Sequence, residues 1–79
     1  MMIDATSTYL SSNIRHLRQK HRLSRRALAS LAGISIRSLD GIEQPNPYCE
    51  VSDVSALRFC SIFGLPVEVL FHSDLSEEN

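Results

Sequence analysis

The chain has no tryptophan, only three glycines, three prolines and two cysteines, and no surplus of charge of one sign. Each scarcity excludes something. Glycine this sparse builds no phosphate-cradling loop, and no Gly-x-Ser-x-Gly elbow occurs. Cys49 and Cys60 form no CxxC, and His16, His21 and His72 do not join them at zinc-ligand spacing, so neither metal nor cofactor is expected. The first residues have neither the basic start nor the apolar stretch of a secretory leader, so reduced thiols and a cytoplasmic location are expected. Cys60 falls in an apolar helical pattern and reads as a small core residue. No run nears the ~18 apolar residues of a membrane span. Eight basic against nine acidic residues, a formal net charge of −1, argues at first sight against a nucleic-acid partner.

What is present is the material of one small helical domain. Of the 79 residues, 43% are hydrophobic and 22% charged, ordinary for a globular chain with a single core. No strand alternation is sustained. A first helix is expected from Thr8 to His21, with Leu10, Ile14 and Leu17 along one face and Arg15, Arg18 and Arg22 as a basic strip beside it. Ser24 stands as an N-cap before a second helix, Arg25 to Ala32, with Leu28, Leu31 and Ala32 as its apolar residues. Gly33 stops it where the chain needs a positive φ. Ile34 anchors the turn, and Ser35 caps a third helix, Ile36 to Glu43, with Leu39 and Ile42 inward. Two eight-residue helices joined by about three residues with a glycine are the signature of a helix-turn-helix. Pro45 to Ser52 reads as a loop. Ser52 caps a fourth helix, Asp53 to Phe63, with Ala56, Phe59, Cys60 and Phe63 on one face, and Gly64 ends it. Pro66 opens a fifth, running to His72, with Val67, Leu70 and Phe71 covering the core. Three parts are expected: an N-terminal arm, 1–7; the folded domain, 8–72; and an acidic tail, 73–79, that frays.

These residues, in this order, resemble the phage-repressor and Cro type of helix-turn-helix regulator, also called the xenobiotic-response-element type. The carriers are Ile14-Arg15-x-Leu17-Arg18, Leu23-Ser24-x-x-x-Leu28-Ala29-x-x-Ala32-Gly33-Ile34-Ser35, Leu39-x-x-Ile42-Glu43 and Phe63-Gly64-Leu65-Pro66-Val67-x-x-Leu70-Phe71. They cover about Asn13 to His72. The resemblance implies an all-α, compact five-helix, lambda-repressor-like domain with the motif at helices two and three. It also implies that Arg18 and Glu43 form a partly buried ion pair, and that a side chain at Gly33 would clash. The chain departs from the pattern at Arg25, where glutamine is frequent, at Ile36, usually polar, and at Pro45, usually glycine.

In this motif the N-terminal end of the third helix enters the major groove. The expected base-reading residues are therefore Ser35, Ile36, Arg37, Asp40 and Gly41. The Arg37 guanidinium fork matches guanine O6 and N7. Ile36 packs on a thymine methyl or closes the core edge. Asp40 accepts from cytosine N4 or orients Arg37. Gly41 either admits a close approach of backbone or reflects drift. Phosphate contacts are expected from Arg22, Ser24, Arg25, Arg26 and Asn46, near a helix N-terminus that favours anions. Arg15 lies near them, though it and Lys20 also read as solvated helix charges, and Tyr48 either touches a phosphate or packs under its loop. The three histidines are assigned no chemistry.

The charges are unevenly placed. Residues 1–44 hold seven basic side chains against three acidic, a balance of +4, and residues 45–79 hold one against six, a balance of −5. The basic half is the half with the helix-turn-helix. The expected function is a sequence-specific regulator of transcription on double-stranded DNA, a small phage- or plasmid-type repressor acting by operator occupancy. No enzymatic activity is expected, since so short a chain hardly walls a pocket. A homodimer through the fifth helix and the end of the fourth is expected, with Ile62 and Val69 as contacts. The alternative is a protein-interaction module of antitoxin or antirepressor type, using the same fold with weak or no DNA binding.

Overall fold

The computed structural model describes residues 2–4, 9–44 and 50–77. Five helices make up most of it: α1 (Leu10–Lys20), α2 (Arg25–Ala32), α3 (Ile36–Glu43), α4 (Asp53–Phe63) and α5 (Val67–His72). Their ends reflect local chemistry. The Ser24, Ser35 and Ser52 hydroxyls accept from the backbone N–H groups of Ala27, Ser38 and Ser55 at 3.0, 3.0 and 3.1 Å, satisfying donors that a helix start leaves without partners. Gly33 and Gly64, at φ +70° and +67°, close α2 and α4 in the left-handed region that a Cβ disfavours. The first helix begins two residues later than expected, and Pro66 is the residue before α5 rather than its first.

One core joins all five helices. It takes Leu10, Ile14 and Leu17 from α1, Leu28, Ala29 and Ala32 from α2, and Leu39 and Ile42 from α3. Ala56 and Phe59 of α4, Leu70 and Phe71 of α5, and the flanking Val51 and Leu75 complete it. Leu31 does not join. It is 58% exposed, because α2 turns Leu28 and Ala32 inward and, at 100° per residue, Leu31 falls on the flank. Cys60, Phe63 and Val67 are half-buried at the core margin.

Two segments read as irregular are ordered. In the expected N-terminal arm, Met2–Asp4 forms a strand, β1, antiparallel to β2, Glu50–Ser52, with Ile3 opposite Val51. Val51 is buried in the core, and the extended backbone of β2 leads directly into the cap of α4 at Ser52. Three-residue strands are too short to show an alternation. So the fold is a helical domain with a small two-stranded ribbon.

The acidic tail does not fray at its start, because Asn13 holds it. This side chain is fully buried, and its amide nitrogen donates to the carbonyls of Leu70 and Ser73, both at 2.7 Å. Its amide oxygen accepts from the Leu75 N–H at 3.0 Å. Asn13 thus completes the C-terminal end of α5 and sets a 3-10 turn, Leu75–Glu77, that buries Leu75. The Tyr9 N–H ties the start of α1 to the Phe71 carbonyl at 2.8 Å. Buried polar groups stripped of partners cost about 1–3 kcal/mol. Asn13→Ala is therefore expected to lower stability by about 2 kcal/mol in urea denaturation, with faster amide exchange from Ser73 onward. An unchanged denaturation midpoint would mean that the clamp contributes nothing.

Candidate nucleic-acid interface

The expected site is built on α2, α3 and the three residues between them. Gly33 donates to Ser30 and Ile34 to Ala29 at 3.2 and 3.0 Å, which folds the chain back over the end of α2. Ile34 is half-buried against the core. Arg58 of α4 donates from Nη1 to the Ala32 carbonyl at 3.0 Å, and its guanidinium occupies the space where a Cβ on Gly33 would stand. Glycine is favoured there for its φ, and a side chain would in addition push the Arg58 guanidinium aside. The sequence offered no sign of the Arg58 contact, since an arginine among apolar neighbours carries no partner in its spacing.

Behind α3, Arg18 and Glu43 meet through a two-pronged ion pair. Arg18 Nε donates to Glu43 Oε2 at 2.8 Å and Nη2 to Oε1 at 3.2 Å, while Nη1 donates to the Leu23 carbonyl at 3.1 Å. The side chains are 11% and 2% exposed. Arg25 approaches from α2, with Nε 3.2 Å from Asp40 Oδ1 and 3.6 Å from Glu43 Oε1. The two contacts differ in weight: a half-exposed pair such as Arg25–Asp40 contributes about 0.2–1 kcal/mol, whereas breaking a buried pair costs about 3–5.

This arrangement revises two expectations. Asp40 faces Arg25 and not Arg37, so its carboxylate braces α3 against α2. Arg25 correspondingly turns toward α3. The basic strip on the first helix also dissolves. Arg18 points inward, and α1 ends before Arg22. Arg22 instead adopts φ +56°, with its N–H on the Gln19 carbonyl at 3.0 Å and the Leu23 N–H on that of Arg18 at 2.9 Å. That is the usual helix-ending turn with arginine where glycine is favoured.

The other expected residues are mostly at the surface. Ser35, Arg37 and Gly41 are exposed, and Ile36 is 40% exposed, so the outer face of α3 is open from its first turn. Ser24 is exposed with its hydroxyl oxygen engaged as a cap, and Arg26 is exposed beside it. Arg15 and Lys20 are exposed on α1. Asn46 and Tyr48, and with them Cys49, lie outside the described residues. Ile62 and Val69 do not present a free apolar face. Both are half-buried and pack against the core. Among the described residues the exposed large apolar side chains are Tyr9, Leu31, Ile36, Val54 and Leu57.

Other chemistry is sparse among the described residues. No group of three or more histidine, cysteine or acidic side chains could hold a metal ion, and no helix is long and apolar enough to cross a membrane. Burial pushes the Cys60 thiol above its usual range, the opposite of an activated nucleophile. The His21 ring lies 5.4 Å from that of Phe63, capping the core edge. In comparison with known proteins, no family model, no curated sequence and no solved structure matches the chain.

Three substitutions test this framework. Arg18→Met strands Glu43 and is expected to cost about 3–5 kcal/mol. A core of this size supplies only about that much net stability, so much of the protein would be unfolded in a thermal melt followed by circular dichroism. Adding Glu43→Leu should restore most of the loss. A single variant that melts like the parent would remove the pair from its role. Arg22→Gly, by contrast, relieves left-handed strain and is expected to add about 0.5–1 kcal/mol, read as a higher denaturation midpoint.

Proposed function

We propose that this chain is a sequence-specific, double-stranded DNA-binding regulator of transcription, built as a phage-repressor and Cro type helix-turn-helix and acting by occupying its operator. The observation that carries the reading is the contrast between the two sides of α3. Its inner side is fixed by Leu39, Ile42 and the Arg18–Glu43 pair, and its outer side leaves Ser35, Ile36, Arg37 and Gly41 exposed. A helix held this firmly while presenting its outer side, from the N-terminal turn to Gly41, to solvent suits insertion into a major groove.

The roles then divide by chemistry. Arg37 reads a guanine with its fork, and Ile36 packs on a neighbouring thymine methyl. Arg22, Arg26 and the first-turn N–H groups of α2 take phosphates. Arg25 and Asp40 hold α3 at its angle, so Asp40 leaves the base-reading set and Arg25 the phosphate set. One α3 spans few base pairs, so a homodimer on half-sites about 34 Å apart completes the reading. The exposed apolar side chains of α2 and α4 (Leu31, Val54, Leu57) are candidates for such a contact beside the half-buried Ile62 and Val69. The same three side chains also favour the second reading, an antitoxin- or antirepressor-type module that docks on a protein.

Selection from a random duplex pool separates the two. The regulator reading expects one enriched motif with two related half-sites, and log affinity that falls linearly with log salt. Arg37→Ala should lower the ratio of specific to non-specific affinity by roughly 1–3 kcal/mol. Arg26→Ala should weaken both alike and reduce the salt slope by about one. A folded protein that enriches no sequence at low salt would leave the protein-docking reading standing.

A further inference from the structure

The chain has three glycines, and the structure accounts for two of them. Gly33 and Gly64 sit at positive φ, and Gly33 also faces Arg58. Gly41 has neither reason. It lies inside α3 with ordinary helical backbone, and a Cβ built on it would meet no atom within 4 Å. Alanine would fit there without strain and favour the helix. The glycine weakens the middle of an eight-residue helix, and nothing inside the molecule asks for it.

Its surroundings point outward. Gly41 lies four residues after Arg37 and three before Gln44, so the three share one stripe of the helix surface, and all three are exposed. The turn around it is held from the other sides: Asp40, immediately before it, is braced by Arg25, and Glu43, two residues on, is gripped by Arg18. The ion pairs keep helical a turn that glycine alone would loosen. A tightly held helix with a bare backbone at the centre of its exposed stripe is the geometry for close approach of another surface.

We propose that Gly41 is the point of closest approach between α3 and DNA, where the missing side chain lets the floor of the major groove come against the helix backbone. The inference rests on the DNA-binding reading and deepens it. Gly41 sets how far α3 sinks, and so whether the Arg37 fork, one turn away, reaches a base edge. A methyl group at this position lifts the helix and withdraws Arg37 without touching the fold.

The test compares the parent protein with Gly41→Ala, using the duplex that the parent selects and an unrelated duplex of equal length. The expected result is a melting temperature higher by about 4 °C or more, with affinity for the selected duplex lower at least tenfold and affinity for the unrelated duplex nearly unchanged. Greater heat stability with unaltered affinity for both duplexes would overturn the inference while leaving the regulator reading intact. A parent protein that selects no duplex would overturn both, so the two failures are distinct.

Discussion

A carboxylate taken out of water behind α3 is the constraint on which the rest of the molecule depends. Glu43 is 2% exposed, and an ion of that size loses several kcal/mol of hydration even after the protein relaxes. Only the Arg18 fork, with Arg25 at longer range, offsets the loss. Arg18 in turn is fixed by the chain reversal just beyond α1. Its guanidinium donates to the Leu23 carbonyl while its own carbonyl accepts from the Leu23 N–H. The side chain that neutralises Glu43 and the turn that ends α1 are therefore one structure. This explains why a non-glycine residue persists at positive φ at Arg22: Arg18 and Leu23, which bracket the turn, are tied to each other across it.

The second set of constraints runs through the ends of the elements. Asn13 satisfies the end of α5, and Arg58 does the same for α2 at the Ala32 carbonyl. Both are long-range contacts, from α1 and α4 respectively, so each packs two helices in register as well as satisfying a backbone group. In a domain with so small a core this matters. Every buried polar group must be matched, because a single unmatched one costs a sizeable fraction of the net stability. Among the described residues no buried side-chain nitrogen or oxygen lacks a partner.

These two kinds of constraint divide what was legible in the sequence from what was not. The serine caps, the stops at Gly33 and Gly64, and the buried faces of α1 and α3 are local, and periodicity and side-chain chemistry reveal them. The Arg18–Glu43 contact could be anticipated only through the family resemblance, because 25 residues separate the partners. Asn13 looked like one more polar residue on an amphipathic helix, and its three partners lie about sixty residues away. The β1–β2 ribbon is too short for a pattern, and Leu31 satisfied a helical count while falling just off the buried face. At the candidate site Arg37 and Gly41 came from helix geometry and Ser35 and Ile36 from the motif's leading end, whereas the partner of Asp40 came from neither. An aspartate three residues from one arginine and opposite another has two candidates, and only tertiary packing chooses between them.

That choice changes the meaning of the near-zero net charge. Asp40 and Glu43 are two of the three acidic residues in the first 44, and both face arginines at the back and flank of α3. The remaining cations of that half, Arg15, Lys20, Arg22, Arg26 and Arg37, are exposed. Pairing does not alter the sum, but it buries Glu43 behind the helix and holds Asp40 against Arg25 on its flank. The acidic residues that balance the total lie beyond residue 45, on β2, α4, α5 and the tail. The molecule measures 31 × 25 × 20 Å, and the screening length at physiological salt is about 8 Å. Charges on its opposite sides therefore act nearly independently. The net charge of −1 thus does not by itself set the local field at α3.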